Sequence, residues 1–175
     1  YDYVFVESGD KVYLLAEALL EAVTKEIGLE FGEILFRCKG RELEHAKAIH
    51  PFYPDRTTPL LLADYVMLDT GTGCVHTAPG HGVEDYETGV RYGIEIYNPV
   101  DGSGYFLPKT PIVGGLSLDD GANKVLALLA ETGRLLGKVK IKHSYPHCWR
   151  CKRPIIFRST EQWFIAVSKF RQETL

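Results

Sequence analysis

Four glycines and one proline fall within residues 71–82, between an apolar run and a stretch that has two acidic residues directly after its first residue. Glycine adopts backbone conformations that other residues avoid, and proline stiffens a loop. The apolar run over 60–68 predicts a strand, and residues 83–93 predict a helix. The backbone N–H groups at the start of such a helix, near Gly82 and Val83, favour an anion or a carbonyl oxygen.

Four side chains with ionisable or polar-binding groups accompany these glycines, namely His76, His81, Glu84 and Asp85. Three kinds of site fit them: a metal hydrolase that uses His76, His81 and Asp85, a phosphate loop, and a metal-free pocket that holds a small polar substrate. The spacing is not HExxH, and the loop lacks the lysine of GxxxxGK[ST], which disfavours the first two. Glu84 and Asp85 also suit the positive end of a helix dipole.

The rest of the chain alternates short strands with a few helices. Strands are predicted over 3–6 and 11–15, which a turn at 8–10 joins as a hairpin, and over 33–38, 138–144 and 155–159. A further hairpin is predicted over 97–107, together with a helix over 16–27 that Gly28 ends and a helix over 122–131 capped by Asp119 or Asp120. This order predicts an α+β fold with surrounding helices and a core that is β-barrel-like or an open twisted sheet.

Charge is distributed unevenly along the chain. Residues 134–158 hold eight of the 20 Lys and Arg residues and no Asp or Glu, although the formal net charge is −3. A basic strip on an acidic body steers a polyanion to one face. A solvated strand of alternating lysines over 138–142 explains the same pattern, so charge alone leaves both interpretations open.

A CxxC motif at Cys148 and Cys151 has the spacing of half a zinc site. Tetrahedral zinc needs four ligands, and the chain has no second CxxC. His143 and His147 are candidates for further ligands, and a redox role for the two thiols is a second interpretation. No apolar run approaches the roughly 20 residues of a membrane span, so no membrane association is expected.

The run GTGCVHTAPGHGVEDY over 71–86 strongly resembles the editing domain inserted into the class I aminoacyl-tRNA synthetases for isoleucine, valine and leucine. His76 and the APGHG form of 78–82 are similar to the isoleucine type, since the valine and leucine types usually carry another residue at 76 and PAHD over 79–82.

The segment HSYPHCWRC over 143–151 also resembles the isoleucine enzyme, at the point where the insertion rejoins the catalytic body. The resemblance covers essentially the whole chain. It implies the fold of the Val/Ile/Leu editing domains, with a single domain over 1–175 that is part of a larger synthetase and with 143–175 returning to the catalytic body.

The family's task follows from the similarity of its substrates. Isoleucine and valine differ by one methylene. A binding pocket distinguishes the two side chains by only about 1–3 kcal/mol of binding free energy, the known figure for this same enzyme class. The resemblance therefore implies a smaller sieve that hydrolyses valyl-tRNA(Ile), and valyl-adenylate as a second substrate, within a cytoplasmic, ATP-binding isoleucine–tRNA ligase. The implied partners are the 3′ end of tRNA(Ile) carrying valine and the rest of the synthetase chain. The alternatives are the valine enzyme's domain, which clears threonyl-tRNA(Val), and a non-catalytic module that binds the tRNA end.

The resemblance assigns roles to individual residues. His76 and Asp85 are the implied catalytic pair: His76 forms part of the size-selective wall, and Asp85 holds the substrate's α-ammonium group through a charge-assisted hydrogen bond. No general base is implied, because water held by protein hydroxyls and by the terminal tRNA hydroxyl is the family's scheme. The other implied substrate-binding residues are Thr77, Gly80, His81 and Tyr145.

Two features of the family are missing. The threonine-rich peptide that helps to place the water normally precedes the position of Tyr1, so weak or no hydrolysis is expected from this chain alone. The upstream CxxC that would complete a zinc site with Cys148 and Cys151 is also missing. No cofactor is therefore expected here, and zinc is expected only in the full-length enzyme.

Overall fold

The computed structural model describes residues 1–169 and residue 171. Its largest sheet is antiparallel and has three strands in the order β2-β1-β3. These strands are β1 (Asp2–Ser8), β2 (Lys11–Ala16) and β3 (Ile34–Lys39). Gly9, with a φ of +63°, makes the turn between β1 and β2, which confirms the predicted hairpin.

One face of this sheet and the helix that follows β2 make the core. A short 3-10 turn, Glu17–Leu19, leads into α1 (Leu20–Ile27), which Gly28 ends in the left-handed conformation as predicted. Alternate residues of a strand point to the same face, which explains why Val4 and Val6 are both almost fully buried. The core residues are Val4, Val6, Leu15, Ala16, Leu19 and Val23.

A second hairpin, β4 (Lys47–Ile49) and β5 (Thr57–Pro59), was not expected from the sequence. The strand predicted over 60–68 is wrong. After Leu60 donates to the Ala46 carbonyl, the ladder stops, because the Leu62 N–H donates to the Tyr92 hydroxyl instead of to another strand.

Two further helices are α2 (Val83–Arg91) and α3 (Leu118–Glu131). The first confirms the predicted helix after the glycine-rich segment. The second begins earlier than predicted, and its cap is Ser117 rather than Asp119 or Asp120, because the Ser117 hydroxyl accepts a 3.2 Å hydrogen bond from the Asp120 N–H.

The strands predicted over 138–144 and 155–159 are wrong, since neither segment pairs as a regular strand. The hairpin predicted over 97–107 is reduced to an isolated bridge between Val100 and Phe106. The fold mixes helices and strands as predicted, but residues 1–169 contain no closed barrel, so the barrel-like core stays unconfirmed.

In the segment predicted to return to a catalytic body, residue 170 and residues 172–175 lie outside the described residues. Within the described part of the chain, no helix combines the length and apolarity needed to cross a membrane.

Candidate active site

A cavity of about 610 Å³ lies where the sheet, the β4–β5 hairpin and the glycine-rich segment meet. Residues 60–64 and 73–77 supply much of its lining, and Tyr3 of β1 and Leu14 of β2 contribute from the sheet. Its volume is in the range of small-ligand pockets. Residues 60–64, which do not pair as a strand after β5, thus form part of the cavity wall.

The glycine-rich segment is held against the sheet at two points. The Tyr3 hydroxyl donates to the Gly73 carbonyl at 2.6 Å, and the Ala16 N–H donates to the Thr72 carbonyl at 2.9 Å. Gly73 has a φ of +75°, and a Cβ built on it would lie 2.5 Å from the Ala16 Cβ. This close approach requires glycine and fixes the wall that begins at Gly73.

His76 and Thr77 both line the cavity. The His76 side chain is exposed, whereas Thr77 is half-buried and its hydroxyl lies 2.8 Å from the Tyr65 hydroxyl. One residue that carries an imidazole and one that carries a hydroxyl therefore both line this cavity.

Gly80 and His81 shape the loop and are not among the residues that line the cavity. A Cβ on Gly80 would collide with the Tyr97 carbonyl group. The His81 Nδ1 lies 3.0 Å from the Phe157 carbonyl oxygen, while its Nε2 is buried without a hydrogen-bond partner in the described chain. The loop therefore passes close to the Tyr97 backbone at Gly80 and contacts the Phe157 backbone through His81.

Asp85 lies in the first turn of α2, half-buried, with its carboxylate folded back over Gly82. It does not line the cavity, and neither does Tyr145, whose hydroxyl donates to the Ile155 carbonyl at 3.1 Å. Of the six residues predicted for substrate binding, the cavity therefore brings together His76 and Thr77. The roles of the other four stay predictions.

Three charged residues that the sequence analysis did not single out, Arg41, Glu44 and Asp64, also line the cavity. Glu44 accepts a 2.6 Å hydrogen bond from the Tyr92 hydroxyl, which raises the pKa of Tyr92. The same hydroxyl accepts from the Leu62 N–H, so α2 and the cavity wall are linked through one tyrosine. No local pattern marks these residues. Arg41 and Glu44 belong to the 3-10 turn Gly40–Leu43 and its C-cap, whereas Asp64 ends the irregular stretch over 60–64.

His50, at the end of the β4–β5 hairpin, was also missed. Its Nδ1 accepts a 3.1 Å hydrogen bond from the Phe52 N–H. Burial lowers the pKa of His50, and electrostatic interaction with Arg56 and with His76 lowers it further. A second imidazole, favoured in its neutral form, therefore lies close enough to His76 for the two rings to interact electrostatically, although it is not among the residues that line the cavity.

Cys148 and Cys151 lie in a separate hairpin, which the Cys148 N–H closes with a 2.8 Å hydrogen bond to the Arg153 carbonyl. The N–H groups of Cys151 and Arg150 donate to the Cys148 sulfur and lower its pKa, with a further contribution from the Cys151 thiol. Such a thiolate-favouring turn fits two of the four ligands of tetrahedral zinc. The described residues supply no cluster of three or more candidate ligands, so the donor set fits a half-site only.

Comparison with known proteins gives a consistent result. Residues 37–109 match the family model described as "Leucyl-tRNA synthetase, editing domain". The chain is 54% identical over 169 residues to an isoleucine–tRNA ligase of Nitratidesulfovibrio vulgaris (strain Miyazaki F), covering 97% of this chain and 18% of that protein. It is 52% identical over 176 residues to the isoleucine–tRNA ligase of Caldanaerobacter subterraneus subsp. tengcongensis, covering 100% of this chain and 19% of the relative. The chain thus spans less than a fifth of the length of these curated relatives.

The fold has a solved counterpart in "The crystal structure of GlLeuRS-CP1", with a TM-score of 0.56 and 17% sequence identity. The match covers 84% of this chain and 76% of that one. At this identity the likeness shows a shared fold.

Proposed function

Because the chain belongs to the editing-domain family of the class I aminoacyl-tRNA synthetases, in its isoleucine type, we propose that it hydrolyses valyl-tRNA(Ile). Water attacks the carbonyl carbon of the ester, the bond from that carbon to the terminal ribose oxygen breaks, and valine and free tRNA leave. The observation that carries the proposal is the cavity that His76 and Thr77 border together.

Selection in this cavity is proposed to rest on size. The cavity must admit the valine side chain and exclude isoleucine, and the His76 imidazole is the side chain that we assign to that boundary. Such a wall rejects the larger side chain, whereas the pocket of a synthetic site favours it, because one extra methylene there strengthens binding by about 1–3 kcal/mol.

The substrate's α-ammonium group needs a carboxylate, and two sources compete. The family resemblance assigns Asp85, whereas the cavity itself presents Asp64 and Glu44. Glu44 already accepts the Tyr92 hydroxyl. We propose Asp85, reached when a bound substrate extends from the cavity along the glycine-rich loop, and treat Asp64 as the competing assignment.

Partners and metal are proposed on the same basis. The tRNA(Ile) 3′ end brings the substrate, and the rest of a longer ligase chain brings the synthetic site and its ATP. Zinc is proposed to bind Cys148 and Cys151 only when two further ligands are supplied from outside the described residues. The bound zinc would then stabilise the hairpin that carries these two cysteines.

The test compares release of valine from valyl-tRNA(Ile) by Asp85→Asn, Asp64→Asn and, as a control, Asp10→Asn, which changes an exposed turn aspartate. It is run with this chain and with the longer ligase that we propose contains it, and binding of a non-hydrolysable valyl-adenosine analogue is measured in parallel. The expected result is loss of binding and release for Asp85→Asn alone. Loss for Asp64→Asn alone would move the ammonium site into the cavity, and no release by the longer ligase would refute the hydrolytic function.

A further inference from the structure

Tyr92, at the C-terminal end of α2, joins this helix to two parts of the candidate active site. Its backbone N–H donates to the Thr88 carbonyl at 3.1 Å, which fixes the residue to the last turn of the helix. Its side chain is half-buried and is not among those that line the cavity. Any effect of Tyr92 on a bound substrate must therefore pass through the residues that it contacts.

The Tyr92 hydroxyl uses both its donor and its acceptor capacity on residues that line the cavity. It donates to the Glu44 carboxylate at 2.6 Å and accepts from the Leu62 N–H at 3.2 Å. Glu44 follows the 3-10 turn Gly40–Leu43, whereas Leu62 lies in the irregular stretch over 60–64. A single hydroxyl therefore joins two separate parts of the cavity lining.

Backbone pairing between these two parts of the lining ends before Leu62. The His45 N–H donates to the Leu60 carbonyl at 2.9 Å, and the Leu60 N–H donates to the Ala46 carbonyl at 2.7 Å. Of the backbone N–H groups of residues 61–64, only that of Leu62 is hydrogen-bonded within the described chain, and its partner is the phenol. The wall beyond Leu60 is therefore held by this one side chain.

The chemistry of the contact suits a fixed support. The hydrogen bond to the Glu44 carboxylate raises the pKa of Tyr92, and burial raises it further, so the phenol stays protonated and remains a donor. Hydrogen bonds to a charged acceptor are stronger than those between neutral groups. The Tyr92 ring also packs edge-on against the His45 imidazole, with the ring centres 5.8 Å apart. Tyr92→Phe would keep this ring contact and remove the two hydrogen bonds.

We propose that Tyr92 is a positioning residue that sets the width of the candidate active site and thereby which ester side chains enter it. Without the hydroxyl, the Leu62 N–H and the Glu44 carboxylate would both need water as a partner, because unpaired polar groups are costly to bury. The stretch over 60–64 would then loosen, and its three leucines form an apolar wall of the cavity. The identification of the ligands as aminoacyl esters rests on the proposed function; the support of the wall by Tyr92 does not.

The first test measures amide hydrogen exchange in this chain by NMR. Tyr92→Phe should speed exchange at Leu62 by about 2- to 10-fold, the range expected for loss of one hydrogen bond, and leave exchange at Leu60 unchanged. The matched control is Tyr86→Phe, which removes the hydroxyl of an exposed tyrosine in the same helix that forms no side-chain hydrogen bond within the described residues. Unchanged exchange at Leu62, or equal acceleration at Leu60 and Leu62, would overturn the proposal.

The second test asks whether the support reaches the substrate. Affinities of non-hydrolysable valyl- and isoleucyl-adenosine analogues are measured for this chain and for the longer ligase. Tyr92→Phe should lower the ratio of valyl to isoleucyl affinity by about 2- to 10-fold, because a loosened wall admits the larger side chain, whereas Tyr86→Phe should keep the parent ratio. A general loss of stability would not change this ratio.

The outcomes separate this proposal from the proposed function. If the parent binds both analogues and Tyr92→Phe does not lower the ratio, the hydroxyl has a structural role only and the positioning role is wrong. If the parent binds neither analogue, even in the longer ligase, the proposed function fails and the selection of esters fails with it. The exchange at Leu62 uses no ligand, so it decides independently whether Tyr92 supports the wall.

Discussion

The Tyr3 hydroxyl donates a 2.6 Å hydrogen bond to the carbonyl oxygen of Gly73, 70 residues further along the chain. Tyr3 lies in the central strand of the sheet, and Gly73 begins the stretch that lines the candidate active site. Burial raises the pKa of Tyr3, and the nearby Cys74 and Tyr1 raise it further, so the phenol stays protonated and remains a donor. One hydrogen bond thus connects the rigid core to the wall of the cavity.

Tyr3→Phe should remove that hydrogen bond and leave the ring in place. The Gly73 carbonyl loses its partner, and the free energy of unfolding should fall by about 0.5–1.5 kcal/mol. Urea denaturation measures the change. Tyr13→Phe, on the neighbouring strand, is the control, because the Tyr13 ring packs against Phe31 and would be kept. Equal losses in the two variants would show that the Tyr3 hydroxyl contributes no specific stability.

Gly73→Ala should destabilise the chain more than Gly71→Ala does. Both glycines have positive φ, +73° at Gly71 and +75° at Gly73, so alanine costs about 1–2 kcal/mol of backbone strain at either position. Only at Gly73 does the new methyl group also meet Ala16, since nothing lies within 4 Å of a Cβ on Gly71. Overpacking of this kind adds about 1–3 kcal/mol. Thermal unfolding of the pair measures the difference, and matching midpoints would contradict the packing argument.

Local signals account for the parts of the fold that the sequence predicted correctly. The β1–β2 hairpin, the end of α1 at Gly28 and the start of α2 at Val83 each depend on residues a few positions apart. The strand predicted over 60–68 failed because Tyr92, distant in sequence, takes the Leu62 N–H. The alternation over 138–142 likewise forms no ladder, and Val139 and Ile141 line a cavity beside α1 while remaining largely exposed.

The candidate site was predicted only in part, for a related reason. His76 and Thr77 belong to a motif that is continuous in sequence, so the sequence could identify them. Arg41, Glu44 and Asp64 reach the same cavity from other elements, and no short pattern records that meeting. The position of Asp85 over Gly82, outside the cavity lining, depends on the rotamer and on the exact path of the loop.

The stability contributed by Asp101 should depend on pH. Its carboxylate accepts hydrogen bonds from the Tyr105 and Ser103 N–H groups, and these bonds lower its pKa, with smaller effects from the Gly104 N–H and the Arg158 charge. A carboxyl group with a lowered folded-state pKa contributes stability that is present above its unfolded value of 3.8 and is lost as pH falls through the folded value. Asp101→Asn should therefore unfold at lower urea concentration than the parent at pH 7, and the difference should shrink below pH 3.8. The exposed Asp10→Asn is the control, and a difference that persists unchanged at acid pH would rule out the charge as its cause.

His76→Ala should weaken the discrimination between valyl and isoleucyl esters. Removing the imidazole from the cavity wall makes room for one more methylene, and a methylene is worth about 10- to 200-fold in selectivity. The measurement is the ratio of release rates for valyl-tRNA(Ile) and isoleucyl-tRNA(Ile), taken in the longer ligase so that both rates are measurable. The expected ratio falls because hydrolysis of the isoleucyl ester rises, whereas His143→Ala, which changes an exposed imidazole away from this cavity, keeps the parent ratio. If His76→Ala slows both esters equally, His76 acts on water or on the ester rather than on the side chain, and the boundary must be sought among Leu60, Leu61 and Val75.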